Sequence, residues 1–268
     1  MIDLTGYELR EENRQSSKGN QMKWLRDGIW YKADYTGYEG LAEYVVSALL
    51  RKSNLDSLSY QLYETEKIKY GYVDYLGCRS ENFLPQGWQM ITLERLFMNI
   101  YGESLNKAIY TIQSIEERVR FLVEQVKQIT GLDDFGTYLC NLMTIDAFFL
   151  NEDRHTHNIA VLIDNLGQYR YCPVFDNGGC LLSDTKMDYP FGVDTEVLIK
   201  NVKAKTFCSD FDDQLDAAEA IYKTSIKFDF DVNDVERILD DELYYSDEAK
   251  LRVLKIIRNQ RRKYQYLF

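Results

Sequence analysis

The chain has 268 residues, 45% of them hydrophobic and 28% charged, which supports a large packed core and excludes a disordered or low-complexity polymer. Aromatic residues make up 14%, and the net charge of −11 is spread along the chain, so no general nucleic-acid-binding surface is expected. The polar start MIDLTGYELREENRQ and the lack of an apolar run near the ~20 residues of a membrane span predict neither a signal peptide nor a membrane anchor, and make the cytoplasm the expected compartment.

In chain order, Ser16-Ser17-Lys18-Gly19-Asn20-Gln21 is small and polar. Lys23-Trp24-Leu25 and Ile29-Trp30-Tyr31-Lys32 flank Asp27-Gly28, a strong hairpin signal that predicts two strands. Leu41, Tyr44, Val45, Ala48 and Leu49 share one face of a helix over 40–50. Aromatic and β-branched runs at 60–63, 70–75 and 90–92, broken by Gly71, Gly77 and Pro85-Gln86-Gly87, predict further strands.

The texture changes near 93–100. Three- and four-residue apolar steps predict a helix over 115–130 with Gly131 as its C-cap, and 135–150 is apolar almost all round, as in a helix at the centre of a lobe. Two short strands follow, 159–163 and 169–174, joined through Asp164-Asn165-Leu166-Gly167, and then helices near 210–224, 232–243 and 246–264. A β-rich first part and a helical second part are expected. Cys78, Cys140, Cys172, Cys180 and Cys208 contain no CxxC pair, so reduced thiols are expected rather than disulfides or a zinc cage.

The densest polar cluster is Asn151-Glu152-Asp153-Arg154-His155-Thr156-His157-Asn158, which holds both histidines. Beyond the two short strands comes Asp176, in Val174-Phe175-Asp176-Asn177-Gly178-Gly179. Phosphoryl transfer needs a carboxylate near the attacking hydroxyl and oxygen ligands that hold magnesium against phosphates, and Asp153, Asn158 and Asp176 supply that set. Two other readings use the same residues: a solvated turn at a helix end, and a zinc or manganese site of Asp153, His155 and His157.

Asp-x-His-x-x-Asn, followed by a short hairpin and a second Asp, resembles the catalytic and metal-binding segments of HipA-like serine/threonine kinases. The Asp153-Arg154-His155 form is also similar to that of phosphatidylinositol 3- and 4-kinases. The resemblance implies an α+β, two-lobed protein-kinase-like fold, with a β-rich N-lobe over 1–95 and a helical C-lobe over 96–268. It implies Asp153 as catalytic aspartate, His155 as a brace for its loop, and Asn158 and Asp176 as Mg2+ ligands.

By the same resemblance Lys32 is the ATP-phosphate lysine and Glu43 its partner, and 16–23 is the phosphate-covering loop. Ser17, Lys18, Gly19, Asn20 and Lys23 would then contact ATP, and Ser16 or Ser17 would be an inactivating autophosphorylation site. Met90-Ile91-Thr92-Leu93-Glu94-Arg95 resembles the hinge strand, with adenine at the Leu93 and Glu94 backbone. ATP and Mg2+ are the implied cofactors. A protein with a Ser/Thr acceptor is the implied substrate, and an antitoxin the implied partner should the chain be a toxin. Full-length members carry an extra N-terminal subdomain that residues 1–13 are too short to supply, so a stand-alone kinase core is expected. Alternatives within the same fold are a lipid or small-molecule kinase and a nucleotide-binding pseudokinase that acts as an interaction module.

Overall fold

The computed structural model describes residues 1–9 and 21–268. In chain order the elements are β1 (Ile2–Asp3), β2 (Lys23–Arg26), β3 (Ile29–Ala33), α1 (Glu39–Leu50), β4 (Glu64–Tyr70), β5 (Val73–Glu81), β6 (Trp88–Thr92), α2 (Leu93–Tyr101), α3 (Leu105–Thr111), α4 (Ile115–Thr130), α5 (Phe135–Phe149), β7 (Ala160–Asp164), β8 (Tyr169–Tyr171), α6 (Thr195–Asn201), α7 (Phe211–Tyr222), α8 (Val232–Asp241) and α9 (Asp247–Lys263). They gather into two compact units: Met1–Phe83 with Phe175–Val202 and Lys227–Phe268, and Leu84–Val174 with Lys203–Ile226.

The first unit is built on a five-stranded sheet in the order β1-β4-β5-β3-β2. The β2–β3 hairpin forms as its Asp-Gly predicts: Asp27 and Gly28 both take positive φ, 53° and 79°, the twist a two-residue turn needs to match its strands. One face of the sheet packs Trp24, Tyr31, Ala33 and Ile68 around Leu4, all buried. Because side chains alternate across a strand, the opposite face carries the cross-strand row Lys23, Lys32, Cys78 and Thr65. Helix α1 lies close to this sheet at glycines: a Cβ on Gly40 would stand 2.5 Å from the Gly77 carbonyl carbon, and one on Gly77 would meet the Lys32 carbonyl oxygen at 2.0 Å.

The second unit holds the antiparallel sheet β6-β7-β8 and the helices α2 to α5 and α7. As its uniform apolarity predicts, α5 is buried on nearly all sides. Gly136 lets α5 and α7 meet, since a Cβ there would lie 2.3 Å from the Tyr222 ring.

Three expectations change. The run at 70–75 is the tip of a hairpin rather than one strand: Tyr70 pairs with Val73, and Gly71 turns the chain at φ 64°. The strand expected at 60–63 lies later, at β4, where charged residues alternate with buried ones. The strand at 90–92 stops at Thr92, whose hydroxyl caps α2 by accepting from the Arg95 amide at 3.4 Å, so Leu93 and Glu94 begin a helix rather than continue a strand.

Candidate functional site

In the first unit the site is built around a buried ammonium. Lys32, 8% exposed, projects from β3 between two carboxylates, with Nζ 2.6 Å from Glu43 Oε1 and 2.9 Å from Asp176 Oδ1. Burial alone would lower the pKa of this lysine, but Asp176 and Glu43 outweigh it and hold the ammonium well above its usual range. The group is a permanent cation. Its Nζ also lies 5.1 Å from the centre of the Tyr63 ring.

Glu43 is 1% exposed on α1 and makes a second contact, its Oε2 accepting from the Asn177 amide at 2.8 Å. The same carboxylate therefore fixes the lysine of β3 and the loop that carries Asp176. Asp176 itself takes φ 58°, a left-handed conformation that is uncommon for an L-residue and less so for aspartate. Its side chain keeps 24% exposure, so a carboxylate oxygen is presented at a partly open position.

In the second unit the site is the loop after α5. Leu150 closes the helix in the left-handed conformation, and the Asn151 side chain then accepts from the Asp153 amide at 3.1 Å. The Asp153 carbonyl accepts from the His155 amide at 3.0 Å and from Asn158 Nδ2 at 2.9 Å. This last bond uses the amide nitrogen of Asn158, and Oδ1 is the acceptor atom of that side chain. Beneath the loop, Arg154 Nε donates to both oxygens of Asp146, at 3.1 and 3.0 Å, and Nη1 donates to the Asn158 carbonyl at 3.1 Å.

The predicted residues thus separate into two sets. Lys32, Glu43 and Asp176 are brought together in the first unit, with Lys23 directly across the hairpin from Lys32. Asp153, His155 and Asn158 share one loop in the second, where His155 Nε2 lies 3.9 Å from Asp153 Oδ1. Ser16, Ser17, Lys18, Gly19 and Asn20 lie outside the described residues. Leu93 and Glu94 stand differently from the hinge expectation: the Leu93 amide donates to the Ile159 carbonyl at 2.8 Å and the Glu94 amide to the Thr156 carbonyl at 3.2 Å. Both amides serve to tie α2 to the loop after α5. The Glu94 carboxylate does the same, accepting from the Thr156 hydroxyl at 2.8 Å.

The rival metal site of Asp153, His155 and His157 finds little support. The two imidazoles meet edge to face at 5.5 Å, and among the described residues no group of three or more His, Cys, Asp or Glu is placed to hold a metal ion. One residue that sequence reasoning missed stands at the site: Lys205 Nζ lies 3.3 Å from Asp153 Oδ1. No motif surrounds it, and only the fold returns it to a loop 52 positions earlier.

Compared with solved structures, the chain has a kinase-like α+β fold. It is similar to the Helicobacter pylori proinflammatory kinase CtkA, with a TM-score of 0.57 and 18% identity over 98% of this chain and 94% of that one. A second likeness is to HipA of Shewanella oneidensis MR-1, solved with HipB and operator DNA as a toxin-antitoxin system, with a TM-score of 0.47 and 11% identity over 94% of this chain and 66% of that one. No protein-family model matches the sequence, and no curated protein matches it. At 18% identity the likeness to CtkA speaks for the fold, and the chemistry has to be argued from the residues.

Proposed function

We propose that the chain is an ATP- and magnesium-dependent serine/threonine protein kinase of the HipA-like type. The observation that carries this reading is the buried Lys32 ammonium clamped between Glu43 and Asp176, in a chain whose fold is kinase-like. A lysine held charged and nearly dehydrated is suited to polyanionic phosphate, and its carboxylate partner keeps it extended.

The donor set fits magnesium, a hard cation that takes oxygen ligands and commonly binds through one or two protein groups plus phosphate. Asp176 offers a carboxylate and Asn158 the amide oxygen left by its bond to the Asp153 carbonyl. Bound magnesium-ATP would supply the transferable phosphoryl group. In this reading Lys32 neutralises phosphate charge, Asp153 orients the acceptor hydroxyl and takes its proton, and His155 braces the loop, its amide donating to the Asp153 carbonyl.

In this reading the phosphate-binding parts lie before residue 95 and the catalytic and metal-binding parts after it. Phosphorylation of Ser16 or Ser17 by the enzyme itself, and capture by an antitoxin, belong to the same proposal and rest on the family resemblance.

The test is incubation of wild type and Asp153→Asn with labelled ATP in a cell extract, with intact-mass analysis of the protein. Transfer to Ser or Thr of a protein acceptor by the wild type, lost in Asp153→Asn while ATP binding persists, is the expected result. Wild-type rates from Asp153→Asn would refute the assignment, and label only on lipid or a small molecule would move the reading to that acceptor class.

A further inference from the structure

We propose that Lys205 is a positioning residue for the phosphotransfer: its ammonium holds the Asp153 carboxylate in the orientation from which it engages the acceptor hydroxyl. This rests on the kinase reading above. It adds a residue that lies outside every motif of the sequence.

The backbone of Asp153 is already fixed. Its amide donates to Asn151 Oδ1, and its carbonyl accepts from His155 and Asn158. What is left to set in an aspartate so held is the rotation of the carboxylate, and contacts to that carboxylate set it. Two such groups are Lys205 Nζ, at 3.3 Å from Oδ1, and His155 Nε2, at 3.9 Å from the same oxygen. The lysine is nearer and within hydrogen-bond reach.

A lysine–aspartate pair between flexible surface stems contributes about 0–1 kcal/mol and is a weak argument for function. Lys205 differs because its segment is built into the second unit on both sides. Ala204, Thr206 and Phe207 are 4%, 1% and 0% exposed. The Thr206 hydroxyl donates to the Arg154 carbonyl, next in the chain to Asp153, at 2.6 Å, and Arg118 Nη1 donates to the Phe207 carbonyl at 2.6 Å. The Ala204 amide donates to the Ser209 carbonyl at 3.1 Å. With its flanks fixed to the catalytic loop itself, Lys205 is aimed at Asp153 by its backbone rather than by the drift of a long side chain. The same arrangement leaves the lysine side chain 34% exposed and that of Asp153 17%, so both can be approached by substrate.

Lys205→Met, Lys205→Gln and Lys205→Arg test this in the intact chain, with kcat and KM for ATP measured under saturating acceptor and unfolding temperature measured alongside. Loss of orientation at a general base is expected to lower kcat about 10–100-fold in the Met and Gln variants, with KM for ATP within about twofold of wild type. Lys205→Arg, which keeps the charge, is expected to recover to within about fivefold of wild type. A purely structural role would move the unfolding temperature and not kcat alone. The proposal is overturned if both neutral variants keep kcat within about threefold of wild type, if the change falls on KM alone, or if Arg is as poor as Met. Wild type inactive on every acceptor would overturn the kinase reading and this proposal together, whereas an active wild type with indifferent Lys205 variants would overturn this proposal only.

Discussion

Arg154→Met should separate the stability of the loop after α5 from the chemistry proposed for it. Arg154 is 1% exposed and Asp146 0%, and the guanidinium grips both carboxylate oxygens at 3.1 and 3.0 Å. Burial pushes the Asp146 carboxyl up, and Arg154 pulls it back only in part, so the pKa stays above its usual value. Removing the guanidinium leaves a buried carboxylate with no countercharge, which costs about 3–5 kcal/mol. At about 2–4 °C per kcal/mol, the unfolding temperature should fall by roughly 6–20 °C. A carboxyl whose pKa is higher in the fold than in the unfolded chain loses stability as pH rises, and without Arg154 that difference widens, so the loss should be larger at about pH 8 than at about pH 5. Asp146→Leu combined with Arg154→Met removes both charges for similar volume and should restore most of the stability. Activity should not return with it, because Arg154 Nη1 no longer holds the Asn158 carbonyl. Thermal unfolding at two pH values and phosphoryl-transfer rates on the three proteins make the test. A single variant less than about 1 kcal/mol below wild type, or a double variant no more stable than the single, would refute the reasoning.

Other consequences can be measured directly. Burial and the nearby Glu39 push the Asp34 carboxyl up to about 8, against hydrogen bonds from Tyr245 and the Gly40 amide. Wild-type stability should therefore fall as pH rises from about 4 through 8, and Asp34→Asn should flatten that slope in a pH series of thermal melts. Gly77→Ala places a methyl 2.0 Å from the Lys32 carbonyl oxygen, so β3 must shift. About 1–3 kcal/mol of destabilisation and weaker ATP binding are expected, and chemical denaturation with nucleotide titration checks both. Lys32→Met leaves Glu43 and Asp176 without their shared cation, and the rise in unfolding temperature expected from ATP in the wild type should disappear. A full ATP response in that variant would remove Lys32 from the nucleotide site.

What was legible in the sequence was legible because it is local. The Asp27-Gly28 turn, the 3.6-residue stripe of α4 and its Gly131 cap, and the uniformly apolar α5 each follow from neighbours along the chain. Short elements failed for the converse reason. In α2 nine residues start at a threonine cap directly after a strand, so apolar residues on both sides of Thr92 read as one run. The turn between β4 and β5 holds Tyr72, fully exposed amid aromatic residues that resemble strand. Among the candidate residues, Asp153 and Asn158 are only five positions apart in one motif, whereas Asp176 and Lys32 are 144 positions apart and Lys205 is 52 from Asp153. For the first of these distant pairs, family resemblance named Lys32 and Asp176 one by one, with Glu43 as the expected partner of Lys32. Nothing in spacing or composition could reach the second.

The backbone around Asp176 shows how a fold holds a carboxylate in place. Asp176, Leu181 and Leu182 all take φ between 56° and 58°, and each such residue carries a cost of order 1–3 kcal/mol. That strain is offset by bonds to the start of α1: the Tyr38 hydroxyl donates to the Leu181 carbonyl at 2.6 Å, the Tyr38 amide to the Ser183 carbonyl at 3.1 Å, and the Lys186 amide to the Thr36 carbonyl at 2.9 Å. Gly37 permits the approach, since a Cβ there would overlap the Ser183 oxygen at 1.8 Å. Glu43, further along α1, then binds both the Asn177 amide and Lys32. One helix therefore sets the loop conformation at its first turn and the charge at its second, so that Asp176 and Lys32 are positioned by the same rigid body. Such a carboxylate needs no reorganisation to serve as a ligand, which is the physical advantage of placing backbone strain there rather than in a mobile loop.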